Sequence, residues 1–180
     1  MRKIFEHVFE RLDTWFETGE EFFPFESGTK PGTLPFYAEK LAYHNFQIWN
    51  YENYGRSDRD DLVVFGWRGA QENNKERNLA INGVDGLMRP RYRPEAEIHS
   101  ETLGSIFDRI TIQYLKLLHH RERDPDLAGY IGGHLQELLG CAERLHAGIL
   151  AGRLRCLELP RLKLYFFEEN GREEPEEDPR

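Results

Sequence analysis

The sequence predicts an all-α protein: one domain, an antiparallel bundle of about five helices, with an extended C-terminal arm and a disordered acidic tail. Three observations carry this. Apolar residues recur at helical spacing in five separate segments, and the connections between most of them are short. No stretch before the C-terminal arm shows strand alternation. At 180 residues, 39% apolar and 31% charged, the chain is long and mixed enough to bury a single core.

The first helix, 2–18, places Ile4, Phe5, Val8, Phe9, Leu12, Trp15 and Phe16 at helical spacing and stops at Thr18-Gly19. The loop 19–35, "GEEFFPFESGTKPGTLP", holds three prolines and three glycines and cannot be regular. Its phenylalanines suit a segment laid across the bundle; a lid over a site would look the same. Pro35 fits the first turn of a second helix, 36–54. "GRSDRDD" breaks the chain before a third helix, 61–88. A fourth, 100–121, has Ser100 placed to cap it, and "RERDPD" separates it from a fifth, 126–151. That last helix has a nearly pure apolar stripe through Leu127, Ile131, Leu135, Leu138, Leu145 and Ile149. "RLRCLELPRLKLYFF" reads either as a short strand or as an extended arm. The domain thus covers 1–167, and 168–180 carries −5 of the net charge of −8, as a solvated tail.

Composition narrows the function classes. There is no basic stripe with interleaved aromatics, so nucleic acid is not an expected partner. No apolar run reaches the roughly 18–20 residues of a membrane span, and charge interrupts the N-terminal segment too often for a signal peptide. Cys141 and Cys156 have neither disulfide-framework nor metal-site spacing, so a reduced, cytoplasmic setting is expected. Calcium-loop, phosphate-loop, nucleophile-elbow and di-iron patterns are all missing from the sequence.

Polar groups stand where apolar ones belong. At about 100° per residue, one face of the fourth helix collects Glu101, Ser105, Asp108, Ile112, Leu115 and His119, with Arg109 beside it. The second helix aligns Leu41, Asn45, Ile48 and Glu52 with Trp49 alongside; the third aligns Asn74, Arg77, Ile81 and Val84 with Asn78 and Asp85 at the flank. An unpaired buried carboxylate costs several kcal/mol, so these groups must meet partners, water, a cation or a ligand. Two arrangements satisfy them. In one, Arg77 and Arg109 close an internal network with Glu52, Glu101 and Asp108. In the other, the groups line a polar cleft between helices. His44, His134 and His146 are expected as ordinary core or surface histidines, and Cys141 as a small core residue.

Four blocks, "LAYHNFQIWNYENYGRS", "NNKERNLAINGVD", "SETLGSIFDRITIQYLKLLHH" and "GRLRCLELPRLKLYFF", resemble the bacterial domain-of-unknown-function 4254 family. Its members carry L-H-x-x-N-x-x-L-W-H-x-E-D, N-Q-x-R-N-D, S-E-T-P-G-S-x-x-D-[RK]-x-[ST]-I-x-x-L-K and R-Q-F-K-M-Y in this order. The resemblance implies site residues at Asn45, Trp49, Glu52, Asn74, Arg77, Asn78, Asp85, Ser100, Glu101, Thr102, Gly104, Ser105, Asp108, Arg109, Lys116, His119, Lys163 and Tyr165. It also implies a setting in cell-surface polysaccharide assembly. Family histidines are replaced by Ala42 and Asn50, family acids by Asn53 and Leu79, and the end of the last block by Phe166-Phe167. These departures mark a diverged member and weaken the case for a metal.

Two functions follow as expectations. A ligand-binding bundle would hold a divalent cation such as Mg²⁺ on Glu52, Glu101 and Asp108, with Asp85 in reserve. Arg77, Arg109 and Lys163 would clamp a phosphorylated small molecule, a nucleotide or nucleotide sugar, with His119 as a candidate base. Asn45, Trp49, Asn74, Asn78, Ser105 and Tyr165 would complete the lining. Alternatively the protein is a non-catalytic accessory or scaffold, its polar groups fixing helix register, with Trp15, Phe22, Phe23 and Phe25 as a docking or homo-oligomer surface.

Overall fold

The computed structural model describes residues 1–157, so the predicted acidic tail, Lys163 and Tyr165 lie outside the described residues. Five helices form the domain: α1 (Arg2–Thr18), α2 (Leu34–Tyr54), α3 (Asp60–Met88), α4 (Leu103–His120) and α5 (Pro125–Leu150). A single 3₁₀ turn, Arg89–Arg91, follows α3. Two three-residue strands, β1 (Glu97–His99) and β2 (Leu154–Cys156), pair in parallel with Glu97 opposite Leu154. The all-α prediction holds, and the ambiguous C-terminal segment is a strand where it is described.

The ends of the helices follow local chemistry. Gly19 takes a left-handed φ of 65° and terminates α1. Thr33 caps α2 by accepting from the Phe36 amide, with Pro35 in the first turn. Asp124 caps α5 through the Leu127 amide at 3.1 Å. The fourth helix differs from expectation. Residues 97–99 are drawn into the strand pair with β2, so α4 starts at Leu103 and its cap is Thr102, not Ser100.

Side-chain contacts fix the helix directions. Lys40 meets Glu76 and His44 meets Asn73, so α2 and α3 run antiparallel. Phe5 packs on Phe107 and Phe9 on Tyr114, so α1 and α4 run parallel. Arg11 meets Glu39 and Trp15 meets Tyr43 and Phe46, so α1 and α2 also run parallel. The antiparallel order therefore begins only at α2. Segment 19–33 is long enough to return along the bundle, which lets α1 and α2 share a direction.

That segment is a packed strap. Phe23 lies against Trp15, Tyr43 and Phe46, and Phe25 against Phe36 and Tyr43. Phe22 sits on Tyr51, Tyr54 and Phe65. Tyr43 donates its hydroxyl to the Phe23 carbonyl, and Asn50 Nδ2 donates to the Glu21 carbonyl at 2.9 Å. Trp15 is 6% exposed. Trp15, Phe23 and Phe25 are thus taken up by the core, while Phe22 stays half-buried on Tyr51, Tyr54 and Phe65.

The strap is anchored on a carboxylate that no sequence pattern marks. Glu39 of α2 is fully buried. It accepts from Ser27 Oγ at 2.5 Å and Thr29 Oγ1 at 3.3 Å, and lies 2.9 Å from Arg11 Nε and 3.7 Å from His7 Nε2. The Arg11 contact is an ion pair by distance, its angle falling short of a hydrogen bond. Arg11 also donates to the Glu26 carbonyl and lies over the Trp15 ring. One acid thus joins α1, α2 and the strap.

The α2–α3 pair is held close by glycines that admit tyrosine rings. A Cβ on Gly69 would come within 2.1 Å of the Tyr51 ring, and one on Gly83 within 2.3 Å of Tyr37. Gly86 on the same helix faces open space. Gly69→Ala and Gly83→Ala should therefore each lower the melting temperature by several degrees, since overpacking costs about 1–3 kcal/mol. Gly86→Ala should raise it slightly through helix propensity, about 0.5–1 kcal/mol. Thermal denaturation followed by circular dichroism reads all three.

Candidate functional site

The predicted polar groups meet where α2, α3 and α4 come together. Asn45 is 4% exposed, and Thr111 is completely buried. The Asn45 amide nitrogen donates to Asp108 Oδ1 at 2.9 Å and to Thr111 Oγ1 at 2.7 Å. Thr111 in turn donates its hydroxyl to the Asp108 carbonyl at 2.9 Å. Both amide hydrogens of Asn45 are therefore used, and the Thr111 oxygen both accepts and donates. Arg77 of α3 approaches Asp108 Oδ1 with Nε at 3.7 Å, an ion pair beyond hydrogen-bond reach. That Nε is buried and has no hydrogen-bond partner. Thr111 was not singled out from the sequence, although it occupies the [ST] position of the D-[RK]-x-[ST] block. One helical turn after Asp108 it looked like an ordinary member of the apolar arc.

One turn toward the start of α4, the polar residues build a helix terminus. Thr102 accepts from the Ser105 amide at 3.1 Å, and Ser105 Oγ accepts from the Thr102 amide at 3.2 Å, a reciprocal capping box. From α3, Asp85 Oδ1 accepts the Gly104 amide at 2.8 Å. Burial pushes the Asp85 carboxyl above its ordinary range, opposed by that amide, by Thr102 and by Arg89. A Cβ at Gly104 would lie 2.5 Å from the Ile81 carbonyl, so α4 presses its first turn onto the α3 backbone. Glu101 pairs with Arg109 at 2.9 Å on the outer surface. Ser105 and Asp85, expected in a ligand set, thus both hold the start of α4.

At the other end of α4, Trp49 meets His119 edge to face at 5.3 Å. The Arg123 guanidinium donates to His119 Nε2 at 3.0 Å, which occupies the lone pair a general base would use. Asn74 is half-buried, and Glu52 and Asn78 are exposed.

The three expected metal ligands do not converge. Glu52 lies two turns past Asn45, about 10 Å along α2, toward the Trp49–His119 end. Glu101 precedes α4 at the opposite end, and Asp108 lies between them. Among the described residues, no cluster of three or more His, Cys, Asp or Glu is placed to hold a metal ion. Open depressions mark the surface of the described residues away from the seam. One of about 260 Å³ is lined by Arg11, Trp15 and Phe23 among others, and one of about 380 Å³ by Tyr51, Val64, Phe65 and Arg68 among others. Neither includes a residue of the seam.

The family model described as "Protein of unknown function (DUF4254)" matches residues 37–128, half the chain. The chain belongs to the DUF4254 family. The matched span contains α2 from its first turn onward, all of α3 and α4, and every residue of the seam. No curated protein and no solved structure matches this DUF4254 chain. No helix of the described residues is long and apolar enough to cross a membrane.

His119 offers a direct check of the site's electrostatics. Partial burial, then the Arg123 charge, then His120 push its pKa below the ordinary 6.5. The folded protein therefore favours neutral His119, and the unfolded chain binds more protons between the lowered value and 6.5. This group's contribution to stability is present above 6.5 and lost as pH falls through the lowered value. An NMR titration should place the His119 midpoint below 6.5. Arg123→Ala should move it upward, without full recovery because burial remains.

Proposed function

We propose that this DUF4254 protein is a non-catalytic accessory or scaffold, in which the Asn45–Asp108–Thr111–Arg77 seam fixes the packing of three helices. The supporting observation is Asn45 itself. A buried amide with both hydrogens committed inside the protein leaves no donor for a ligand. The scattering of Glu52, Glu101 and Asp108 supports the same reading, as does fully buried Ala42 where the family pattern has a histidine. An accessory role suits the polysaccharide-assembly setting that the resemblance implies.

A second reading rests on one atom. Arg77 Nε is buried beside Asp108 without a hydrogen bond, and the Arg77 side chain is 24% exposed. A small anion reaching the guanidinium would give the seam a ligand, a phosphorylated molecule among the candidates.

Melting measurements separate the two. Removing one partner from a buried hydrogen-bonded set costs about 1–3 kcal/mol, a few degrees or more in a domain of this size. Asn45→Ala and Thr111→Val should each lower the melting temperature on that scale. Mg²⁺ with ATP, or with a nucleotide sugar, should leave the wild type unmoved. A shift of several degrees in the wild type, lost in Arg77→Gln without loss of intrinsic stability, would establish the ligand reading instead.

A further inference from the structure

The outer face of α3 near its start groups exposed apolar residues between charges. Asp61, Val64, Phe65, Arg68 and Glu72 fall within about 100° of helical arc and are all exposed. Val64 is 47% and Phe65 45% exposed. With Tyr51 of α2 they line the shallow depression of about 380 Å³. Trp67, 63% exposed, stands on the adjoining flank. Leu79 further along α3, Ile98 and Leu150 are exposed singly, and Leu127 and Tyr130 are exposed one turn apart at the start of α5. Here apolar exposure is concentrated and bracketed by charge.

The charges make the face complementary to itself. Asp61 and Arg68 are seven residues apart, two turns, and stand equally far on either side of the Val64–Phe65 step. Turning the helix by a two-fold axis through that step lays Asp61 of one copy opposite Arg68 of the other, and Val64 opposite Phe65. The two-fold makes each charge pair form twice. Asp61 already accepts from Arg59 at 3.1 and 2.7 Å, but an ionised carboxylate has room for a further donor. An antiparallel crossing also sets opposed helix dipoles side by side.

We propose that this face of α3 is the interface of a two-fold symmetric homodimer, with helices antiparallel and Asp61 of each copy against Arg68 of the other. The occupant is a second copy of this chain because the pattern answers its own reversal. An unrelated partner would have no reason to require an acid and a base symmetrically placed about the apolar step. One helix face of 61–72, about 18 Å long, makes a small contact, below about 1,200 Å² in total, so the association is reversible. The interface lies away from the seam, and the proposal stands whichever reading of the seam is correct.

Sedimentation equilibrium of the full chain over a wide concentration range reads the result, with circular dichroism confirming that each variant is folded. The wild type should show a monomer–dimer equilibrium. Val64→Glu should abolish the dimer by placing a charge at the centre of the apolar contact, on a side chain 47% exposed in the single chain. Asp61→Arg and Arg68→Asp should each weaken association at least about tenfold, because every change is felt at both ends of the two-fold. The two changes combined should restore association to near the wild-type value. The proposal is overturned by a wild type that is monomeric at every concentration, or by self-association that Val64→Glu leaves intact. It is equally overturned by a double swap no tighter than the single ones.

Discussion

The fold turns on α2 being buried on almost every side. Ten of its residues are buried, among them Glu39, His44, Asn45, Gln47 and Asn50. A helix enclosed by neighbours cannot send its polar side chains to water, so four of these five meet partners on the elements that face them, while Gln47 Nε2 is buried without a hydrogen bond. Glu39 reaches α1 and the strap, His44 reaches α3, Asn45 reaches α4, and Asn50 returns to the strap. α3 and α4 are therefore fixed on α2 by hydrogen bonds as well as by apolar burial, and α1 by the Arg11–Glu39 ion pair. Apolar packing alone tolerates sliding by a fraction of a turn; a 2.7 Å hydrogen bond from a buried amide does not.

The same logic explains the choice of groups at the seam. Asp108 is the one acid there, and it is served by a neutral amide and approached by a guanidinium at 3.7 Å. Two buried full charges in tight contact would require costly desolvation of both. Asn45 supplies a donor without a second charge, and Thr111 takes its remaining hydrogen. Arg77 keeps a quarter of its side chain in solvent and neutralises the acid from the edge. The result is a network that orders three helices, and among the described residues the one fully desolvated carboxylate is Glu39, elsewhere in the domain and matched there by Arg11.

Helix periodicity located the bundle and four of its helix starts to within two residues, because caps and breakers are local signals that the backbone must obey. Ser100 failed as the cap of α4 because a non-local event intervened: β2, more than fifty residues later, pairs with 97–99 and holds the chain extended. The shared direction of α1 and α2 was illegible for a similar reason. A strap of aromatic residues says that it packs, not which way it runs. At the seam, Asn45, Arg77 and Asp108 were legible as polar groups on apolar stripes, and they do meet. Glu52 and Glu101 were grouped with Asp108 because one face of a helix says nothing about distance along the bundle axis. Glu39 went unnoticed since its neighbours Ala38, Lys40 and Leu41 give no stripe on which an acid looks misplaced. Its meaning lies in Ser27, Thr29 and Arg11, which only the folded chain brings to it.

The block "SETLGSIFDRIT" of this DUF4254 chain is best understood as a device for docking one helix. Thr102 and Ser105 close the capping box, and Asp85 from α3 takes the Gly104 amide. Gly104 allows that approach, since any side chain would strike the Ile81 carbonyl. One turn on, Asp108 meets Asn45 and Arg77, and Thr111 completes the contact with α2. These positions alternate between satisfying the orphan amides of a helix start and pinning the helix to its two neighbours. A motif of Ser, Glu, Thr, Gly and Asp resembles catalytic equipment when read along the chain. Wound into α4, the same residues set the height, tilt and register of a helix against which α5 then packs.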